Sequence, residues 1–291
     1  MSIFKLDPAF KDYIWGGTRL RDEYGKKCDY DKVAESWELS CHKDGPSVVA
    51  DGEYKGLTLN EYIEKAGKGV LGKNCERFEN FPILIKLIDA KDNLSVQVHP
   101  DNDYAMRVDC DEGATLLYGF KHEITKEEFA RRIADNTLLE VTNAVPVKKG
   151  DVFFIKSGTL HAIGKGILIA EIQQNSNTTY RIYDYGRVGK DGKPRELHVN
   201  KALDVTKLAP AEQYPETPVE KKDGYDIKLL SKCEYFTTYR VNVETKAELD
   251  ADENSFNSIL VLEGEPVISG GETVSAKKGE SVFISAGTGK Y

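Results

Sequence analysis

The sequence predicts a mainly β protein with a few short helices, made of sandwich or jelly-roll units, on three observations. Short alternating or wholly apolar runs, bounded by Gly, Asp, Asn and Lys, recur at 81–88, 94–99, 115–119, 152–155, 167–173 and 237–243. Helical patterns are scarce. The stretch Lys148 to His161 aligns without gaps on Lys277 to Lys290, and 7 of the 14 positions are identical. Each copy reads as a basic turn at Gly, a buried strand, a Gly-Thr turn and the start of a further strand, so the chain holds two related β units. The charged stretch 214–226, with Pro215 and Pro218, is the expected linker between a domain over 1–213 and another over 227–291.

The two helix starts have a local cause. Thr58-Leu59-Asn60-Glu61 and Thr125-Lys126-Glu127-Glu128 both have the form of a capping box, in which a Thr hydroxyl and a Glu carboxylate satisfy early amide donors. The second is expected to open a small helical insert near 125–135, with Phe129 and Ile133 four apart on one face.

Composition narrows the function. The chain has 291 residues, 40 Lys+Arg against 48 Asp+Glu and a net charge of −8. Its 40% hydrophobic content is that of a folded chain. The negative balance argues against a nucleic-acid partner, and an anionic small molecule must be met by a local cluster of Lys and Arg. The apolar runs are too short for a membrane span, no apolar leader segment opens the chain, and the five cysteines are widely spaced with no CxxC. A cytoplasmic protein with reduced thiols is expected.

The chemistry concentrates in four places. In Asn93 to Asp101, Leu94, Val96 and Val98 alternate with Ser95, Gln97 and His99, so a strand sets three polar side chains on one face until Pro100 ends it. Read alone, that face either meets water or lines a site. Lys86 is the one charge between Phe81 and Ile88 and belongs to a core strand, so it is directed at something. His161 opens a strand after Ser157-Gly158-Thr159-Leu160. Its counterpart in the second copy is Lys290, which has no lone pair, so only the first unit can use this position for a metal. Arg181, in a Tyr-rich strand after Glu171-Ile172-Gln173, is suited to a bidentate grip on phosphate or carboxylate.

Together these residues resemble a known family. Val96 to Asp101, Ser157 to Ala162, Glu171 to Ser176, Thr178 to Tyr185, Ile14 to Gly17 and Glu35-Ser36-Trp37 are similar, in order, to the type I mannose-6-phosphate isomerases, particularly their short bacterial class. The resemblance implies two cupin (jelly-roll) barrels in tandem and one zinc ion per chain. It implies interconversion of mannose 6-phosphate and fructose 6-phosphate. It gives His99, His161 and Gln97 as metal ligands, Arg181 as catalytic, and Ser95 and Lys86 as substrate-binding. The chain departs from the pattern in two places. The family's Gly-Lys-Thr-Glu segment, bearing a Glu ligand and a substrate-side Lys, has no counterpart around Val108–Asp109. Asp109, Asp111 and Glu112 are the nearest carboxylates to replace it. The second barrel is expected to be truncated at its C-terminus, since the chain stops at Tyr291 within the second repeat. A non-catalytic sugar-phosphate-binding cupin is the alternative reading.

Overall fold

The computed structural model describes residues 2–100, 104–189 and 191–291; Asp101, at the end of the His-Pro-Asp motif, lies outside them. The strands in chain order are β1 (Ile3–Asp7), β2 (Ala9–Lys11), β3 (Glu35–Leu39), β4 (Val48–Val49), β5 (Ile83–Ala90), β6 (Val96–Val98), β7 (Tyr104–Cys110) and β8 (Thr115–Phe120). There follow β9 (Thr142–Pro146), β10 (Val152–Ile155), β11 (His161–Ile163), β12 (Ile167–Gln174) and β13 (Tyr180–Tyr183). The C-terminal part adds β14 (Val219–Lys222), β15 (Tyr225–Lys232), β16 (Thr237–Val243), β17 (Asp250–Ala251) and β18 (Asn257–Leu260). It closes with β19 (Val267–Ser269), β20 (Thr273–Ser275), β21 (Ser281–Ile284) and β22 (Gly289–Lys290). The α-helices among the described residues are α1 (Arg19–Asp22), α2 (Leu59–Ala66), α3 (Lys126–Ala134) and α4 (Val199–Val205). None is long and apolar enough to cross a membrane.

Two antiparallel sheets position the site. One has the order β10-β7-β12-β5-β3-β2, the other β13-β6-β11-β8-β9. Strand alternation gives the first sheet two different faces. Ile88, Met106, Val108 and Ile169 point inward and pack with Leu116, Tyr118 and Ile163 of the second sheet. The residues between them, Leu39, Ile85, Ala105 and Ile172, point outward and pack on Phe4, Tyr62, Phe256 and Phe283. This outer layer couples the sheet to the C-terminal strands. There β1 pairs with β21 (Ile3 opposite Ile284) and with β4 (Leu6 opposite Val49). Phe283 stacks on Phe4 and Phe256, with centroids 5.3 and 5.2 Å apart.

The internal repeat has a matching local structure in both copies. Offset positions align β10 with β21 and the start of β11 with β22. Gly150 and Gly279 have φ of 94° and 87°, and Gly158 and Gly287 have 79° and 78°, a region that L side chains avoid. The Lys148 amide donates to Asp151, and the Lys277 amide to Glu280, as the same turn lock. Within 214–226, Val219–Lys222 forms β14 and turns through Gly224 onto β15.

The helix starts came out differently from each other. Thr58 and Glu61 make the complete capping box. At α3, Thr125 Oγ1 accepts from the Glu128 amide, but the Glu128 carboxylate turns to Arg132 Nε at 3.2 Å. An i,i+4 cation has displaced the return half of the box.

Candidate functional site

The alternation read from β6 is present. Val96 and Val98 are fully buried against Phe120, Phe129, Leu160 and Ile182, which turns Ser95, Gln97 and His99 to the other face. Registry then gathers the remaining residues. Gln97 stands opposite His161 on β11 and opposite Arg181 on β13, so His161, Gln97 and Arg181 form one row across three strands. The turn before β11 is tied to this row, because the Gly158 amide donates to the His99 carbonyl at 2.9 Å. Gly158 is required there: a Cβ would lie 2.6 Å from the Val205 carbonyl oxygen.

Both imidazoles are oriented through backbone carbonyls. His99 Nδ1 lies 2.8 Å from Thr178 O, and His161 Nδ1 lies 2.8 Å from Thr159 O. A carbonyl only accepts, so each Nδ1 carries the proton and each Nε2 keeps its lone pair. The two Nε2 atoms converge on the Gln97 side-chain amide, at 3.3 and 3.4 Å, and the rings lie nearly parallel with centroids 5.4 Å apart. Ser95 Oγ donates to the other end of that amide, at 3.4 Å. Burial pushes His99 down to about 4, with Lys86 adding to the shift and the Thr178 carbonyl opposing it. Burial, then the neighbouring His99, pushes His161 down to about 3. Two neutral imidazoles and an amide that can turn its oxygen to the same point are three donors suited to a divalent cation. A ligating His almost always donates its other ring N–H to such an acceptor, which fixes the tautomer and the ring. Among the described residues, no group of three or more His, Cys, Asp or Glu is placed to hold a metal, so a carboxylate ligand is not added to this set.

The alternative carboxylates do not reach it. Asp109 stands opposite Leu168, one position out of phase with the inward Val108, so it lies on the outer face of its sheet and pairs with Arg19 at 3.6 Å. The Asp111 amide donates to Gly166 O on the turn before β12, and Glu112 is exposed. The period of two along β7 excludes Asp109 in spite of its proximity in sequence.

Lys86 is buried, as a core strand demands, and what it meets is protein. Its Nζ lies 3.8 Å from Glu35 Oε2 and 3.8 Å from Glu171 Oε2, and 5.1 Å from the centroid of the Trp37 ring. Trp37 Nε1 donates to Glu35 at 2.7 Å. Burial pushes the Glu171 carboxyl up to about 7; Lys86 opposes the shift and Glu35 adds to it. Opposite registry on β5 and β12 places Lys86 and Glu171 side by side. The polar–apolar alternation of 171–173 signals an inward Glu171, but its partner comes from a strand more than 80 residues earlier.

Arg181 is anchored at one end. Its Nη1 donates to Glu196 O at 3.0 Å, and its amide donates to His198 Nδ1 at 3.2 Å. Burial, then Arg195, lowers its pKa. Arg187 and Arg195, on the loop after β13, both bind the buried Asp184. No sequence spacing announced that cluster.

Residues 3–130 match the family description "Phosphomannose isomerase type I, catalytic domain", and 226–291 match "Mannose-6-phosphate isomerase, cupin domain". The chain is 38% identical to mannose-6-phosphate isomerase ManA of Bacillus subtilis, over 98% of this chain and 93% of that one. The crystal structure of the mannose 6-phosphate isomerase from Bacillus subtilis superimposes with a TM-score of 0.90 at 34% identity, covering 100% of this chain and 98% of that one. A zinc-bound mannose 6-phosphate isomerase shares the fold at a TM-score of 0.74 and 17% identity, over 100% of this chain and 96% of that one. Mainly β, with a cupin fold and with its matches spread over nearly its whole length, the chain belongs to the type I phosphomannose isomerase family.

Proposed function

We propose that this protein interconverts mannose 6-phosphate and fructose 6-phosphate in the cytoplasm, as a tandem cupin with its site in the first barrel, built from β2, β3 and β5 to β13, while β1 and β4 of the 1–213 stretch pair with the C-terminal strands. The observation that carries the reading is the row His161–Gln97–Arg181, with His99 beside it. Gln97, His99 and His161 would hold one zinc ion, with Ser95 fixing the Gln97 amide. A bound zinc ion supplies Lewis-acid polarisation of the sugar's oxygens.

The protein's own residues supply the rest. Aldose–ketose isomerisation moves a proton between adjacent carbons through an enediol, whose oxygens gain negative charge. Arg181 stabilises that charge without titrating, and its position in the Gln97 row aims it at the same space. Glu171, held near 7, is the carboxyl poised to take and return the carbon-bound proton at neutral pH. Lys86 keeps Glu171 from being driven higher, and so acts on the substrate through Glu171.

The alternative, a sugar-phosphate-binding cupin without turnover, is favoured by one observation: the carboxylate ligand carried by the family's Gly-Lys-Thr-Glu segment is not supplied by Asp109, Asp111 or Glu112. Conversion of fructose 6-phosphate to mannose 6-phosphate by the zinc-reconstituted chain separates the two. Turnover that vanishes on chelation and returns with zinc supports the isomerase; saturable binding without turnover supports the alternative. Activity that survives exhaustive chelation contradicts the metal assignment.

A further inference from the structure

Lys86 is occupied by Glu35 and Glu171, so the phosphate of a sugar phosphate needs another cation. The loop after β13 supplies a built cluster. Asp184 is 6% exposed and buried beneath two guanidinium groups. Arg195 grips it with Nε and Nη2 at 2.7 and 2.6 Å, a planar two-point contact that fixes the whole guanidinium. Arg187 donates to the same carboxylate, to the Asp184 carbonyl, and across to the carbonyl of Asn93, just before β6.

Charge counting decides what the cluster can do. One carboxylate neutralises one of the two arginines. Arg181, whose Nη1 meets only the neutral Glu196 carbonyl and whose Nε has no partner, adds a second uncompensated charge. The Glu196 carboxylate is turned to solvent and lies 3.7 Å from His198, so water screens it. A phosphate monoester carries about −1.5 to −2 charges at pH 7, so the one uncompensated charge of the Asp184 cluster meets most of it, within the added field of Arg181. The cluster adjoins the Arg181 row: Arg181 Nη1 donates to the carbonyl of Glu196, the residue after Arg195, at 3.0 Å, and Arg187 reaches the Asn93 carbonyl just before β6.

We propose that Arg195, with Arg187 beside it, reads the phosphate group of the substrate, and that Asp184 is the positioning residue that holds both guanidiniums for it. This rests on the sugar-phosphate reading above. It leaves Arg181 for the reacting oxygens and makes Arg195 the residue that separates phosphorylated from unphosphorylated sugar.

The test is titration calorimetry on the full chain with fructose 6-phosphate, fructose and inorganic phosphate, for wild type, Arg195→Gln, Arg195→Lys and Asp184→Asn, with thermal melts on each. Loss of a two-point charged contact should weaken fructose 6-phosphate and phosphate binding about tenfold to a hundredfold in R195Q, with fructose unchanged. R195K, which folds with its charge kept, should recover part of the loss. D184N should raise KM by a similar factor while kcat stays within about threefold, a split that general destabilisation does not produce. Equal affinity of wild type and R195Q for fructose 6-phosphate overturns the proposal, as does a loss shared by fructose or no binding by wild type. Arg195-dependent binding without turnover upholds it while removing the isomerase reading.

Discussion

Lys86 and Glu171 lie opposite each other on neighbouring strands, Nζ to Oε2 3.8 Å, with Glu35 at the same distance on the other side of the ammonium. One cation facing two carboxylates leaves one of them short of compensation, and burial selects Glu171 to hold its proton up to about 7.

This fixes the acid limb of the rate profile. A base with a raised pKa is active only above it, so kcat should rise with pH through about 7 and level off beyond. Glu171→Gln should lower kcat by about a hundredfold to ten-thousandfold and remove that limb, with the melting temperature kept or raised at pH 8. A profile for wild type that is flat from pH 6 to 8 would contradict the assignment.

The histidine pair makes a separate pH statement, about stability rather than rate. His161 titrates near 6.5 when unfolded and at about 3 when folded, so between those values the unfolded chain binds the extra proton. Stability from this group is complete above 6.5 and is lost as pH falls towards 3. His161→Asn should therefore flatten the drop in melting temperature from pH 6.5 to 5 relative to wild type. Parallel curves for the two proteins would argue against a buried neutral His161.

Zinc content gives a separate check. Three donors with oriented second partners predict about one equivalent per chain in wild type and a fall of about ten- to a hundredfold in affinity for His99→Asn or Gln97→Leu, read by competition with a chromogenic chelator. Undiminished zinc in both variants would place the metal elsewhere.

Gly158→Ala tests how the turn supports the site. The added methyl meets the Val205 carbonyl at 2.6 Å and a backbone φ of 79°, so the variant should lose about 1–3 kcal/mol in urea unfolding. Its zinc affinity should fall too, because the Gly158 amide holds the His99 carbonyl. Full stability would mean that the turn relaxes freely.

Much of this was legible in the chain, and for physical reasons. The alternation at 94–99 set the polar face of β6, and the glycines of the repeat marked positive-φ turns that recur in the structure. What escaped was set by registry and backbone. The row His161–Gln97–Arg181 depends on which strands are neighbours, and the two carbonyls that fix the tautomers belong to Thr178 and Thr159, whose side chains carry no such signal. Asp109 failed as a replacement ligand by one residue of phase. The Asp184 cluster unites residues up to 11 apart around a loop with no periodicity to read. The return half of the α3 capping box was lost to an equally local competitor, Arg132.

The pairing of β1 with β21 carries a consequence for biosynthesis. Ser2 and Ser285, whose amide and hydroxyl join at 2.8 Å beside those strands, are 283 positions apart. At about 5–20 residues per second, the first strand leaves the ribosome about 15 seconds to a minute before its partner exists. In that interval Phe4 has no Phe283 to stack on, and β1 is an apolar edge open to other chains. Until β21 has been made, β1 depends on chaperones to cover the edge that β21 will pair with.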